Sequence, residues 1–83
     1  MTIDEISQAL QERSDKAWER YGNFASTHEA LGVASEEWDE LREAIKSNNM
    51  DVIIHEALDL AAVLIRFTEQ LSNDESIQAR STK

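Results

Sequence analysis

Two short acidic runs are the parts of this sequence whose residue types and spacing suit chemistry. Glu36, Glu37, Asp39 and Glu40 lie in EEWDE, and Glu56 and Asp59 lie in EALD, with fifteen residues between Glu40 and Glu56. On a helix, Glu37 and Glu40 project about 60° apart. They fall beside Val33 and Ala44, while Asp39, Arg42 and Glu43 turn toward water. Glu56 and Asp59 repeat the i, i+3 spacing on a stripe that also carries Val63. Asp59 interrupts the apolar run LDLAAVLI. An isolated ionised carboxylate there is costly, so it must be protonated, paired or bound to metal. Two antiparallel helices, each with such a pair, can bring four carboxylates to one point. Oxygen donors without sulfur or imidazole suit a hard cation, Mg²⁺ or Mn²⁺. The plainer readings stand beside this one. EExxE alone reads as a solvated helical face, Glu56 as a cap or partner of Lys46, and Asp59 as the partner of an arginine.

Three helices are expected to position these acids. Thr2 with Glu5 forms a capping box that opens a helix over about 3–20. Its apolar stripe Ile3, Ile6, Leu10, Ala17 and Tyr21 is interrupted by Arg13, and Gly22-Asn23 ends it. Ser26 with Glu29 opens a second helix over about 27–46. Leu31, Ala34, Trp38, Leu41 and Ile45 follow a 3-4-3-4 spacing there, a narrow seam that places Trp38 in the core. Ser47-Asn48-Asn49 makes a short turn, so the next helix, about 50–71 and capped by Asn49 or Asp51, is an antiparallel neighbour. From Leu58 to Ile65 that helix is apolar around its circumference except at Asp59, which predicts burial on several sides. One chain offers only two other helices to cover it, so a homodimer or homotetramer is expected. The fold class is therefore all-α: a helical hairpin plus an N-terminal helix, assembling into an oligomeric bundle. A single domain over 1–72 is followed by a polar tail over 73–83, a short helix or a frayed end.

Composition narrows the function. The chain has 83 residues, 17 acidic and 8 basic, for a net charge of −9, with no cysteine and no proline. Below roughly 70–80 residues a single core rarely supplies more than about 3–5 kcal/mol, so a partner subunit or a metal is an expected source of stability. The absence of cysteine excludes disulfides and thiolate zinc sites. The negative charge argues against nucleic acid and against an anionic membrane as ligands. MTIDEISQAL has neither the basic nor the apolar region of a secretion signal, which leads to the expectation of a cytoplasmic protein.

The strings HEALGVASEEWDEL and EALDLAAVLIRFTEQL resemble the all-α nucleoside triphosphate pyrophosphatases of the MazG-like superfamily, whose signature is EExxE, a spacer, then ExxD. The resemblance spans roughly residues 20–71. It implies that Glu37, Glu40, Glu56 and Asp59 hold Mg²⁺, the same four that helical geometry selects, and that Glu36 orients water or supports the ligands. All five would then be catalytic. It implies cleavage of a nucleoside or deoxynucleoside triphosphate between the α- and β-phosphates, giving monophosphate and pyrophosphate. Metal ions would neutralise the triphosphate and activate water. An acidic protein with an anionic substrate is consistent with that, because bound cations invert the local charge.

Candidate phosphate contacts are Arg66, seven residues beyond Asp59, and the basic stripe Arg13, Lys16 and Arg20. Their structural alternatives are ion pairs, Arg66 with Asp59 or Glu69 and the stripe with Glu12 or Asp15. Trp18, Tyr21 and Phe24 are the aromatics available for a base pocket. His28 is expected to be exposed, and His55 points about 100° away from Glu56 and is not assigned as a ligand. Many relatives of this kind have a fourth helix, so a second subunit is expected to complete the site. The alternative function is a non-catalytic helical oligomerisation or regulatory module that keeps the acidic motif. A di-iron bundle is disfavoured because no Glu-x-x-His motif occurs.

Overall fold

The computed structural model describes residues 1–73, and the expected tail beyond Asn73 lies outside them. Three helices follow in order: α1 (Ile3–Tyr21), α2 (Thr27–Ser47) and α3 (Met50–Asn73). Among the described residues there is no strand, and the fold is all-α. Each helix starts where its sequence offers a cap. Thr2 accepts the Glu5 amide and Glu5 accepts the Thr2 amide at 2.7 Å, a complete capping box. Those bonds hold the Glu5 carboxyl below its ordinary pKa. Ser26 caps α2 through the Glu29 amide, but Glu29 reaches back one residue further, to the Ala25 amide. Asn49 caps α3 by accepting from Val52. Gly22 (φ 69°) ends α1 and Asn48 (φ 57°) ends α2, both in backbone conformations that most side chains resist.

α3 is the central element, and α1 and α2 each pack along it while touching one another only slightly. Small side chains permit the close approach: Ala30 and Ala44 on α2, Ala62 on α3 and Ser14 on α1 are all buried. The α1–α2 loop is tied to the last turns of α3. Gln70 accepts from the Phe24 amide and donates to the Phe24 carbonyl, both at 2.8 Å, and Arg66 donates to the Gly22 carbonyl at 2.9 Å. Phe24 is buried under this clamp, edge-on to Phe67 at 5.9 Å.

The expected α2 seam is corrected in part. The stripe facing α3 runs through Ala30, Val33, Ala34, Glu37, Leu41 and Ala44; Ala34 and Leu41 of the expected seam are half-buried as read, whereas Leu31, Trp38 and Ile45 are 63%, 51% and 52% exposed. The helix is therefore rotated by about 70°, less than one residue, from the expected seam. The reason is fit, since small side chains allow α2 and α3 to approach closely. Trp38 is consequently not a core residue of the single chain. The α3 expectation changes likewise, with Ile54, Leu64 and Ile65 on an uncovered apolar side. On α1, Arg13 and Ser14 lie in the buried stripe with Ala9, Leu10 and Ala17, while Ile3 and Tyr21 are exposed. Among the described residues, no helix is long and apolar enough to cross a membrane.

Candidate functional site

The rotation of α2 that exposes Trp38 carries Glu37 into the middle of the buried stripe. There it meets Glu40 from the next turn and Glu56 from α3, and one oxygen of each lies within 4.8 Å of the others. Oε2 of Glu37 and Oε1 of Glu56 are buried without any hydrogen-bond partner. Removal from water, then repulsion from Glu40, Asp59 and Glu56, pushes the Glu37 carboxyl up from 4.5 to about 7. The same causes, burial first and then Glu40 and Asp59, raise Glu56, with His55 opposing them. Two buried acceptor oxygens with no donor, among carboxylates that repel one another, form a site short of positive charge. An all-oxygen donor set of this kind fits a hard divalent cation. Glu36, exposed, lines the adjoining cleft together with Glu37.

Asp59, the fourth acid, is near this cluster but differently engaged. Its Oδ1 accepts from Arg13 Nε at 2.8 Å, and its Oδ2 lies 3.4 Å from His55 Nε2. Arg13 Nη2 also reaches His55 Nδ1 at 2.9 Å. His55, Glu56 and Asp59 form a second group of potential ligand atoms within 4.8 Å of one another, so Glu56 joins the two. The arginine partner of Asp59 is therefore Arg13, not Arg66. His55, left out by the sequence argument, lies at the site after all. The usable signal is its i, i+4 spacing to Asp59, which puts both on one helical face.

The remaining candidates divide by place. Arg66 is buried, with burial lowering its pKa, and stacks over Phe24 with its guanidinium carbon 4.0 Å from the ring centroid. It bonds Gly22, and neither Asp59 nor Glu69. It lines a cleft of about 490 Å³ with Tyr21, Asn23, Phe24, Glu36 and Glu37, so two of the three aromatic candidates border the acidic cluster. Trp18 does not line this cleft and is 59% exposed. Lys16 and Arg20 are exposed on α1, Arg20 lying 5.6 Å from the Tyr21 ring centroid. Lys46 pairs with Glu43 and Arg42 with Asp39, which leaves Glu56 without the lysine partner considered for it. A second, more open groove of about 520 Å³ lies at the turn end of the hairpin, with Glu40 and Glu56 on its wall. The comparisons with known proteins add no relative: no family model, no curated protein and no solved structure matches this chain.

Proposed function

We propose that this chain is a Mg²⁺-dependent nucleotide pyrophosphohydrolase that cleaves a nucleoside or deoxynucleoside triphosphate to the monophosphate and pyrophosphate. The observation that carries the reading is the convergence of Glu37, Glu40 and Glu56, with two buried oxygens lacking any donor. Glu37, Glu40, Glu56 and Asp59 would hold the cation, with Mn²⁺ as a substitute. When bound, it would supply charge neutralisation of the phosphates and a more acidic water. The cleft beside Glu37 falls within the range of about 300–1,000 Å³ usual for small-molecule sites. Tyr21 and Phe24 border it for a base, and Arg66 and Asn23 for polar contacts. In the reaction, the oxygen of water bonds to the α-phosphorus while the bond from that phosphorus to the bridging oxygen breaks. Pyrophosphate leaves and a proton of the water passes to solvent, and Glu36 would orient the attacking molecule, the role the sequence resemblance implies for it. The sequence resemblance to MazG-like enzymes is consistent with this chemistry.

The working unit in this proposal is a homo-oligomer in the cytoplasm. Among the described residues, the buried apolar side chains are only Phe24, Ala30, Ala44 and Ala62, while Leu31, Trp38, Ile45, Ile54, Leu64 and Ile65 are 43–63% exposed. By helical position, the exposed residues of α2 and α3 fall on the side of the hairpin away from α1 and the acids. A second copy laid on that side gives these large side chains a core.

The test is a panel of ribo- and deoxyribonucleoside triphosphates with Mg²⁺, scored for monophosphate and pyrophosphate. Release from at least one, lost in Glu37→Gln, is expected. A second reading, a non-catalytic helical module, is favoured by one observation, that Asp59 is already paired with Arg13. Inactivity on every nucleotide, with no Mg²⁺-dependent thermal shift, would establish it instead.

A further inference from the structure

Asp59 is the member of the acidic group whose oxygens both have close partners. Arg13 occupies Oδ1, His55 stands 3.4 Å from Oδ2, and Arg13 and His55 are joined to one another at 2.9 Å. An arginine only donates, so His55 Nδ1 accepts from it and the imidazole proton sits on Nε2, facing Asp59. Three side chains thus close a ring around one carboxylate. The Arg13 and Asp59 side chains keep 27% and 30% of their exposure, so the pair is accessible from the surface rather than sealed in the core. Glu37 and Glu56, by contrast, each hold an oxygen with nothing to accept from. The cluster is divided: part of it lacks a positive partner, and the remaining acid is closed by an internal cation from another helix.

We propose that Arg13 is an exchangeable latch: it occupies Asp59 until a divalent cation takes that carboxylate, and its released guanidinium then contacts the polyphosphate. This rests on the reading of Glu37, Glu40, Glu56 and Asp59 as a cation site. Asp59 has lone pairs to spare, but Arg13 holds Oδ1 and His55 faces Oδ2. Its oxygens are therefore not grouped with those of Glu37 and Glu40, and the position that joins them competes with the latched one. A divalent charge beside a guanidinium also repels it. An arginine set free a few ångströms from such a site has a planar fork suited to phosphate oxygens. Cation binding therefore precedes anion binding, and α1, which carries Arg13, takes part in a site otherwise made by α2 and α3.

The test uses Mn²⁺ alone, titrated into the full chain and followed by electron paramagnetic resonance, and then magnesium tripolyphosphate followed by calorimetry. Arg13→Gln is expected to bind Mn²⁺ about fivefold more tightly, the factor for losing a competing ion pair of about 1 kcal/mol. It should bind magnesium tripolyphosphate more weakly than the wild type. Arg13→Lys, a gentler change for folding, should shift both affinities in the same directions by less, because an ammonium lacks the fork that spans Asp59 and His55. Unchanged or weaker Mn²⁺ binding in both variants, with helix content intact by circular dichroism, would overturn the latch. Wild-type protein that takes up no Mn²⁺ would instead remove the cation site on which it rests.

Discussion

Glu37 of α2 and Glu56 of α3 face one another across the helical hairpin, each with a buried oxygen that accepts no hydrogen bond. Packing alone does not explain such a pair, because each unpartnered oxygen costs about 1–3 kcal/mol, more when charged. In the proposed function, a bound cation is what offsets that cost.

The first consequence is a pH dependence. Glu37 titrates at about 7 in the fold against 4.5 when unperturbed. Its folded pKa is raised, so the folded state binds more protons than the unfolded state between those values. Stability is then greatest below pH 4.5 as far as this group is concerned, and falls as pH rises to about 7. Thermal melts without divalent cation should show a declining midpoint over that window. Glu37→Gln should flatten the decline and melt a few degrees higher at pH 8. A wild-type midpoint that rises steadily from pH 5 to 8, unaltered by the substitution, would contradict this account.

Within EEWDE the residues are not equivalent. On the proposed function, Glu40→Gln should lower Mg²⁺-dependent pyrophosphate release by about a hundredfold or more, since loss even of a group that only supports a ligand costs about 10–100-fold. Asp39→Asn should leave it within twofold, because Asp39 is exposed and pairs only with Arg42 on its own helix. Equal losses in both would point to general acidity rather than to a site.

The loop clamp makes a stability prediction. Gln70 satisfies both the amide and the carbonyl of buried Phe24. Gln70→Leu orphans both, at a cost of about 2 kcal/mol or more. For a chain of this size that is a fall in midpoint of about 10 °C, read by circular dichroism. Thr68→Ala, on an exposed residue whose hydroxyl only returns to its own helix, should change little.

The exposed α2 stripe predicts the state of assembly. Trp38→Glu should convert an oligomer to a monomer of lower stability, measured by light scattering after gel filtration, because a charge there has no place in an apolar interface. Tyr21→Glu, an equally drastic change at an exposed position bordering the cleft, should leave the mass unchanged. A wild-type protein that is monomeric at high micromolar concentration would refute the assembly.

The sequence by itself determined the three helices and where they begin and end. Caps are made by residues three or four apart, as Thr2 with Glu5, Ser26 with Glu29 and Asn49 with Val52 show, so their signals are local. It also set the i, i+3 spacing of the acids and the antiparallel hairpin required by a short turn. Only the tertiary structure decided which side of α2 is buried. The sequence offers two parallel stripes, one of small residues through Ala30 and Ala44 and one of large residues through Leu31, Trp38 and Ile45, and periodicity alone cannot rank them. The small stripe faces α3 because it lets the two backbones approach, which moves Glu37 inward and Trp38 outward. Tertiary structure likewise decided that Arg13 closes Asp59 while Arg66 supports a loop. Those partners are separated by more than forty residues, and nothing local records which arginine a folded helix will bring to which acid.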